Sequence, residues 1–136
     1  MAATFKLSVV SPEKTIFEGT VASVTAPAYD GYVGILAGHE PMIAALGTGV
    51  LEFEDDNEQR RFVMLDGGFI EVSHGSAIVL ADKAELAQEI DLETAMQDLE
   101  AARRALRGEA SDMTSAEATK EIDRAMHRVR AARMSK

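Results

Sequence analysis

The chain has 136 residues, 46% of them apolar, a formal net charge of −9 and no cysteine. That length holds one domain, or one domain with an appendage. The acidic balance excludes a duplex-binding role, which needs a basic footprint, and the lack of thiols excludes disulfides, thiolate catalysis and cysteine-ligated metal sites.

The opening "MAATFKLSVV" lacks a basic region followed by an apolar one, so it reads as a strand and not as a signal peptide. Short apolar stretches follow: "KTIFEG", "VASVTAPA", "YVGIL", "MIAAL", "GVLEFED", "RRFVML", "FIEVS" and "AIVLAD". Turn signals separate them. Asp66-Gly67-Gly68 is a tight-hairpin signal between "RFVML" and "FIEV". Asp55-Asp56-Asn57-Glu58 and His74-Gly75-Ser76 mark neighbouring turns. Many short strands at this spacing predict an antiparallel β-sandwich or flattened barrel over residues 1–84. The longest uncharged central run, Pro41 to Leu51, is about half of the ~20 residues a membrane-spanning helix needs.

Composition changes near residue 84, where glycine and aromatic residues give way to Ala, Glu, Arg and Met. Leu92, Ala95, Met96, Leu99, Ala102 and Leu106 share one helical face. Asp91 is placed as N-cap, Glu93 suits the first turn, and Gly108 supplies the stop. After the polar loop "GEASDM", Thr114 and Glu117 have capping-box spacing. Ala118, Ile122, Ala125, Val129 and Ala132 then step along a second helix, with Met126 beside them. Residues 85–136 are therefore predicted to form an αα-hairpin with antiparallel helices. Its apolar stripe is thin, and helices of this length are marginal alone in water. The hairpin must lean on the β domain or on a partner, which makes it an element able to move. Arg124, Arg128, Arg130 and Arg133 give its second helix a basic end, suited to an acidic partner or a phosphate.

Enzymatic chemistry finds no foothold. The stretch "DGYVGILAGHEPM" carries three glycines and His39, but Gly31, Gly34 and Gly38 fit neither phosphate-loop spacing and lead into no helix. His39 and Glu40 are adjacent and would face opposite sides of a strand, so they do not build a metal site. No nucleophile elbow occurs, and Asp55-Asp56 reads as solvated turn carboxylates.

The stretch "GYVGILAGHEPMIAALGTGVLEF" resembles the G-x-x-G-I-x-x-G-H-x-P pattern and following apolar run of the epsilon subunit of bacterial F-type ATP synthase, called delta in mitochondria. "DGGFIEV" and "AIVLADKAE" resemble its next two signature strands, and the resemblance spans essentially the whole chain. It implies a β-sandwich of about ten strands followed by a C-terminal αα-hairpin. It also implies a non-catalytic central-stalk subunit that binds the gamma subunit, rests on the c-ring and couples proton-driven rotation to ATP synthesis. The location implied is the cytoplasmic face of the bacterial inner membrane, reached only through the complex, with no nucleic-acid partner. Gly31, Tyr32, Gly34, Gly38, His39, Glu40 and Pro41 match the family's interface loop, Tyr32 standing where some members carry an acidic residue.

In some members the hairpin binds ATP through an I/L-D-x-x-R-A motif, and in some it restrains hydrolysis at the alpha/beta catalytic head. Ile90-Asp91-Leu92-Glu93-Thr94-Ala95 has Thr94 in place of the motif arginine. Glu85 fits an upstream acidic position, and Arg124 with Arg128 resembles the second-helix arginine pair. These five residues, Glu85, Ile90, Asp91, Arg124 and Arg128, are candidates for nucleotide or beta-subunit contact. Threonine cannot replace a bidentate guanidinium, so no bound cofactor is expected. The alternative function is a free ATP-sensing module whose hairpin closes on nucleotide.

Overall fold

A computed structural model describes residues 3–109 and 111–135. Met1, Ala2, Ala110 and Lys136, which fall in the expected first strand, helix connection and basic end, lie outside the described residues. Among the described residues seven strands precede the helices: β1 Phe5–Val10, β2 Thr15–Ala28, β3 Gly31–Leu36, β4 Met42–Asp55, β5 Arg60–Ser73, β6 Ser76–Ala81 and β7 Ala84–Leu86. The count is lower than the expected ten or so because β2, β4 and β5 each run for 14 residues. Each long strand fuses two of the apolar stretches seen in the sequence.

The pairing order β1-β6-β5-β4-β2-β3, with β1 also paired to β2, closes the sheet on itself. β1 runs antiparallel to β2 and parallel to β6, while the remaining pairs are antiparallel. The result is a flattened barrel with β3 hanging from one edge. Alternation fills its interior: Phe5, Leu7 and Val9 point inward from β1, as do Ala77, Val79 and Ala81 from β6. Leu51, Phe53, Val63, Leu65 and Ile70 complete the centre.

Two of the three turn signals are turns in the fold. Asp55 Oδ1 accepts the Asn57 and Gln59 amides in the β4–β5 loop, and His74-Gly75 closes the β5–β6 hairpin. Asp66-Gly67-Gly68 is different: it lies inside β5, whose register against β4 continues unbroken from Leu46–Gly68 to Thr48–Asp66. The glycines supply positive φ values of 82° and 128° for a kink at which β5 exchanges β7 for β6 on its other side. A Cβ at Gly68 would lie 2.2 Å from the Leu80 carbonyl oxygen, so this close approach requires glycine.

A 3-10 turn, Ala87–Glu89, leads to α1, Leu92–Leu106, and then to α2, Ser115–Met134. Asp91 accepts the Glu93 amide as N-cap, and Thr114 with Glu117 forms the full capping box. Gly108, at φ 83°, ends α1 in a Schellman motif: its amide bonds Ala105 O and the Glu109 amide bonds Arg104 O. The apolar faces depart from expectation. Met96, Leu106 and Met126 are about half exposed, whereas Ala95, Ala102, Ala105, Ala118, Ala125 and Ala132 are buried. Alanines and Val129 fill the interior faces of the helices, Leu92 and Leu99 pack partly against the joint, and Met96, Leu106 and Met126 stand out in solvent.

Candidate functional site

The hairpin is docked on the barrel through a second, smaller core. Val50 of β4 and Met64 of β5 point away from the main interior and meet Ala87, Ile90, Ala95, Val129, Ala131 and Ala132. This explains the consecutive buried pairs Val50-Leu51 and Met64-Leu65, which break the alternation of a strand with only one covered face. Ile90 therefore serves as a buried plug beneath the helices.

Ion pairs rim this joint. The Arg128 guanidinium clasps Glu85 of β7 through Nε and Nη2, at 2.8 and 3.2 Å, and donates to Asp98 of α1 at 3.2 Å. Those Glu85 bonds, opposed in part by burial, hold Arg128 above its ordinary value. Arg124 donates to Asp66 at 2.8 Å and also pairs with Glu121. Asp66 additionally accepts the Thr48 hydroxyl at 2.8 Å. Partial burial pushes the Asp66 carboxyl up, but Thr48, Arg124 and nearby Lys83 outweigh it and hold the group below 3.8. Asp91 is spent on capping, accepting the Thr94 hydroxyl at 2.9 Å besides the Glu93 amide.

The fold thus brings Glu85 and Arg128 together as a direct pair and sets Ile90 under them. Arg124 joins instead to Asp66 and Thr48. Neither partner was found from sequence, because the Arg124–Asp66 pair spans 58 positions and Asp66 reads locally as a turn residue. Asp98 was missed in the same way.

The glycine-rich loop residues lie on the β2–β3 hairpin and its exit. Gly31 (φ 134°) follows the two-residue Tyr29-Asp30 turn, and Gly34 sits exposed on β3. Gly38 (φ 84°) sets a turn in which the His39 amide donates to Leu36 O, at 3.1 Å. His39 Nδ1 lies 2.7 Å from Glu40 O, bracing the loop ahead of Pro41. Tyr32 reaches past Pro27 of β2 to β4, its hydroxyl accepting the Val50 amide at 3.4 Å.

One barrel face is unusually apolar. Ile43, Phe69 and Leu80 are 70%, 57% and 56% exposed, and Phe69 stands directly opposite Leu80 across the β5–β6 ladder. Ala45 flanks Phe69 on β4, while Ile43 and Ile78 lie to either side of Glu71 in the next row. Single exposed apolar residues are ordinary, but a contiguous patch marks an interaction surface. Among the described residues no three or more His, Asp or Glu side chains are grouped to hold a metal ion, and no helix is long and apolar enough to cross a membrane.

Residues 4–87 match the family described as the ATP synthase delta/epsilon chain β-sandwich domain. The ATP synthase epsilon chain of Symbiobacterium thermophilum is 40% identical over 96% of this chain and 94% of its own length. That of Moorella thermoacetica is 37% identical, covering 96% of this chain and 97% of the relative. Among solved structures, a chain of the Euglena gracilis mitochondrial ATP synthase OSCP/F1/c-ring assembly superposes with a TM-score of 0.74 at 25% identity, covering 99% of this chain and 82% of that one. A chain from the Tetrahymena thermophila mitochondrial ATP synthase central stalk and c-ring shares the fold, with a TM-score of 0.57 at 17% identity. The docked two-helix arrangement and these full-length similarities agree, and the chain belongs to the ATP synthase delta/epsilon chain family.

Proposed function

We propose that this chain is a non-catalytic central-stalk subunit of a proton-translocating ATP synthase, coupling c-ring rotation to ATP synthesis. The observation that carries the proposal is the end-to-end similarity to epsilon chains, joined to an exposed apolar barrel face that a permanent partner would cover. The Ile43, Phe69 and Leu80 face is assigned to the gamma subunit. The loop from Gly31 to Pro41 is assigned to the c-ring and gamma, with Tyr32, His39 and Glu40 as its polar contacts. Membrane attachment follows through the complex alone, on the cytoplasmic face of a bacterial inner membrane.

The two units are a β domain and a hairpin that restrains hydrolysis when it leaves its dock for the alpha/beta head. Nucleotide is not expected to hold the hairpin closed. Glu85 and Asp98 already occupy the Arg128 guanidinium, Asp66 occupies Arg124, and Thr94 is turned to Asp91.

Purification of the complex from native membranes tests the assignment. Gamma and the catalytic subunits should copurify with this chain, and a chain that ran alone would overturn the coupling role. Calorimetric titration of the isolated protein with Mg-ATP should give no micromolar binding, and such binding would favour the nucleotide-sensing alternative. A chain ending after Leu86, which keeps β7, should still bind gamma while changing the ATP hydrolysis rate of the complex. Unchanged hydrolysis would remove the restraining role and leave coupling in place.

A further inference from the structure

The β2–β4 ladder contains a wide irregularity. Thr25 pairs with Glu52 but Ala28 pairs with Leu46, so Ala26 and Pro27 stand opposite residues 47–51. In this gap the Tyr32 hydroxyl accepts the Val50 amide, at 3.4 Å. Tyr32 also packs close over Gly49: a Cβ there would lie 3.0 Å from the Tyr32 hydroxyl and 2.7 Å from Pro27 Cβ. Thr48 and Val50, either side of Gly49, carry the hairpin's dock. Thr48 binds Asp66, which binds Arg124, and the Val50 side chain belongs to the core shared with Val129, Ala131 and Ala132. One short strand segment therefore holds the loop-side tyrosine on one side and the helical hairpin on the other.

We infer that Tyr32 is a positioning residue that couples the β2–β3 loop to the docking of the helical hairpin, through the Thr48-Gly49-Val50 segment of β4. Contact that pulls Tyr32 off Gly49 frees the segment to shift, and this weakens the seat of α2. Conversely, release of α2 loosens the Val50 amide, because coupling between two sites is reciprocal. The inference rests on the stalk reading only for what would press on the loop. The coupling itself is a property of the isolated chain.

Amide hydrogen exchange on the full-length isolated protein tests it. Tyr32→Phe removes the acceptor, and Gly49→Ala crowds both Pro27 and the Tyr32 hydroxyl while keeping that hydroxyl. Both should speed exchange of α2 amides between Ala125 and Ala132 by roughly 2- to 10-fold, the range for one lost hydrogen bond. Amides of the β5–β6 ladder around Val79 should keep their wild-type rates. Arg124→Gln should in turn speed exchange at the Val50 amide, and its effect on α2 should not add to that of Tyr32→Phe. Loosening confined to β3, or a uniform rise that includes the β5–β6 ladder, would overturn the coupling. Neither outcome bears on copurification with gamma, so failure here is distinguishable from failure of the stalk assignment.

Discussion

The barrel and the hairpin are built from different materials. Phe53, Leu65, Ile70 and Val63 are large side chains with no exposed surface, whereas the buried residues of α1 and α2 are alanines and one valine. A buried large aliphatic contributes roughly 1.5–3 kcal/mol and alanine far less, so the barrel interior dominates the stability of the chain. The hairpin compensates with caps, a narrow apolar joint and arginine clasps. Its attachment is thus more sensitive to solution conditions than the barrel it sits on.

The largest effect should come from the barrel. Phe53→Ala is expected to cost about 3–5 kcal/mol, read as a lowered urea midpoint for the whole molecule. A loss confined to the helical signal would mean that Phe53 does not belong to the unit that sets global stability. Met64→Ala carves its cavity at the joint and should cost about 2–5 kcal/mol, with helical signal lost before the sheet. Simultaneous loss of both would show barrel and hairpin to be one cooperative unit. Arg128→Gln comes next, weakening docking by about 0.2–1 kcal/mol, an effect that fades at high salt.

Acidification gives the smallest effect and has a definite sign. Asp66 is held below 3.8 in the docked state, so its contribution is full above that unfolded value and is lost as pH falls through the lower docked one. Thermal melts of the hairpin between about pH 5 and 2 should show this loss, and Asp66→Asn should flatten it. An unchanged slope in that variant would remove Asp66 from the latch.

Local signals were read well from sequence where the chemistry was itself local. The Thr114–Glu117 capping box, the Gly108 stop and the turns at Asp55 and Gly75 each depend on residues a few positions apart. Asp66-Gly67-Gly68 offered the clearest hairpin pattern and formed none. Positive-φ glycines serve a kinked strand as well as a turn, and the choice was made by Leu80, beyond the reach of a local pattern. Thr48, Asp66 and Arg124 illustrate the same boundary, since their meeting depends on how three elements fold together. The long face of α1 misled for a related reason. Periodicity placed Met96 and Leu106 with Ala95 and Ala102, but close helix approach selected the alanines for the interior.

Sheet closure carries a consequence for the subunit before assembly. β1 joins both β2 and β6, so among the described strands only six-residue β3 and three-residue β7 have a single neighbouring strand. Exposed Gly31 and Gly34 make the first a poor template for strand addition, and the second is too short to recruit a neighbour. A newly made chain can wait in a crowded cell with its sticky apolar face uncovered, because no long ladder invites fibre growth.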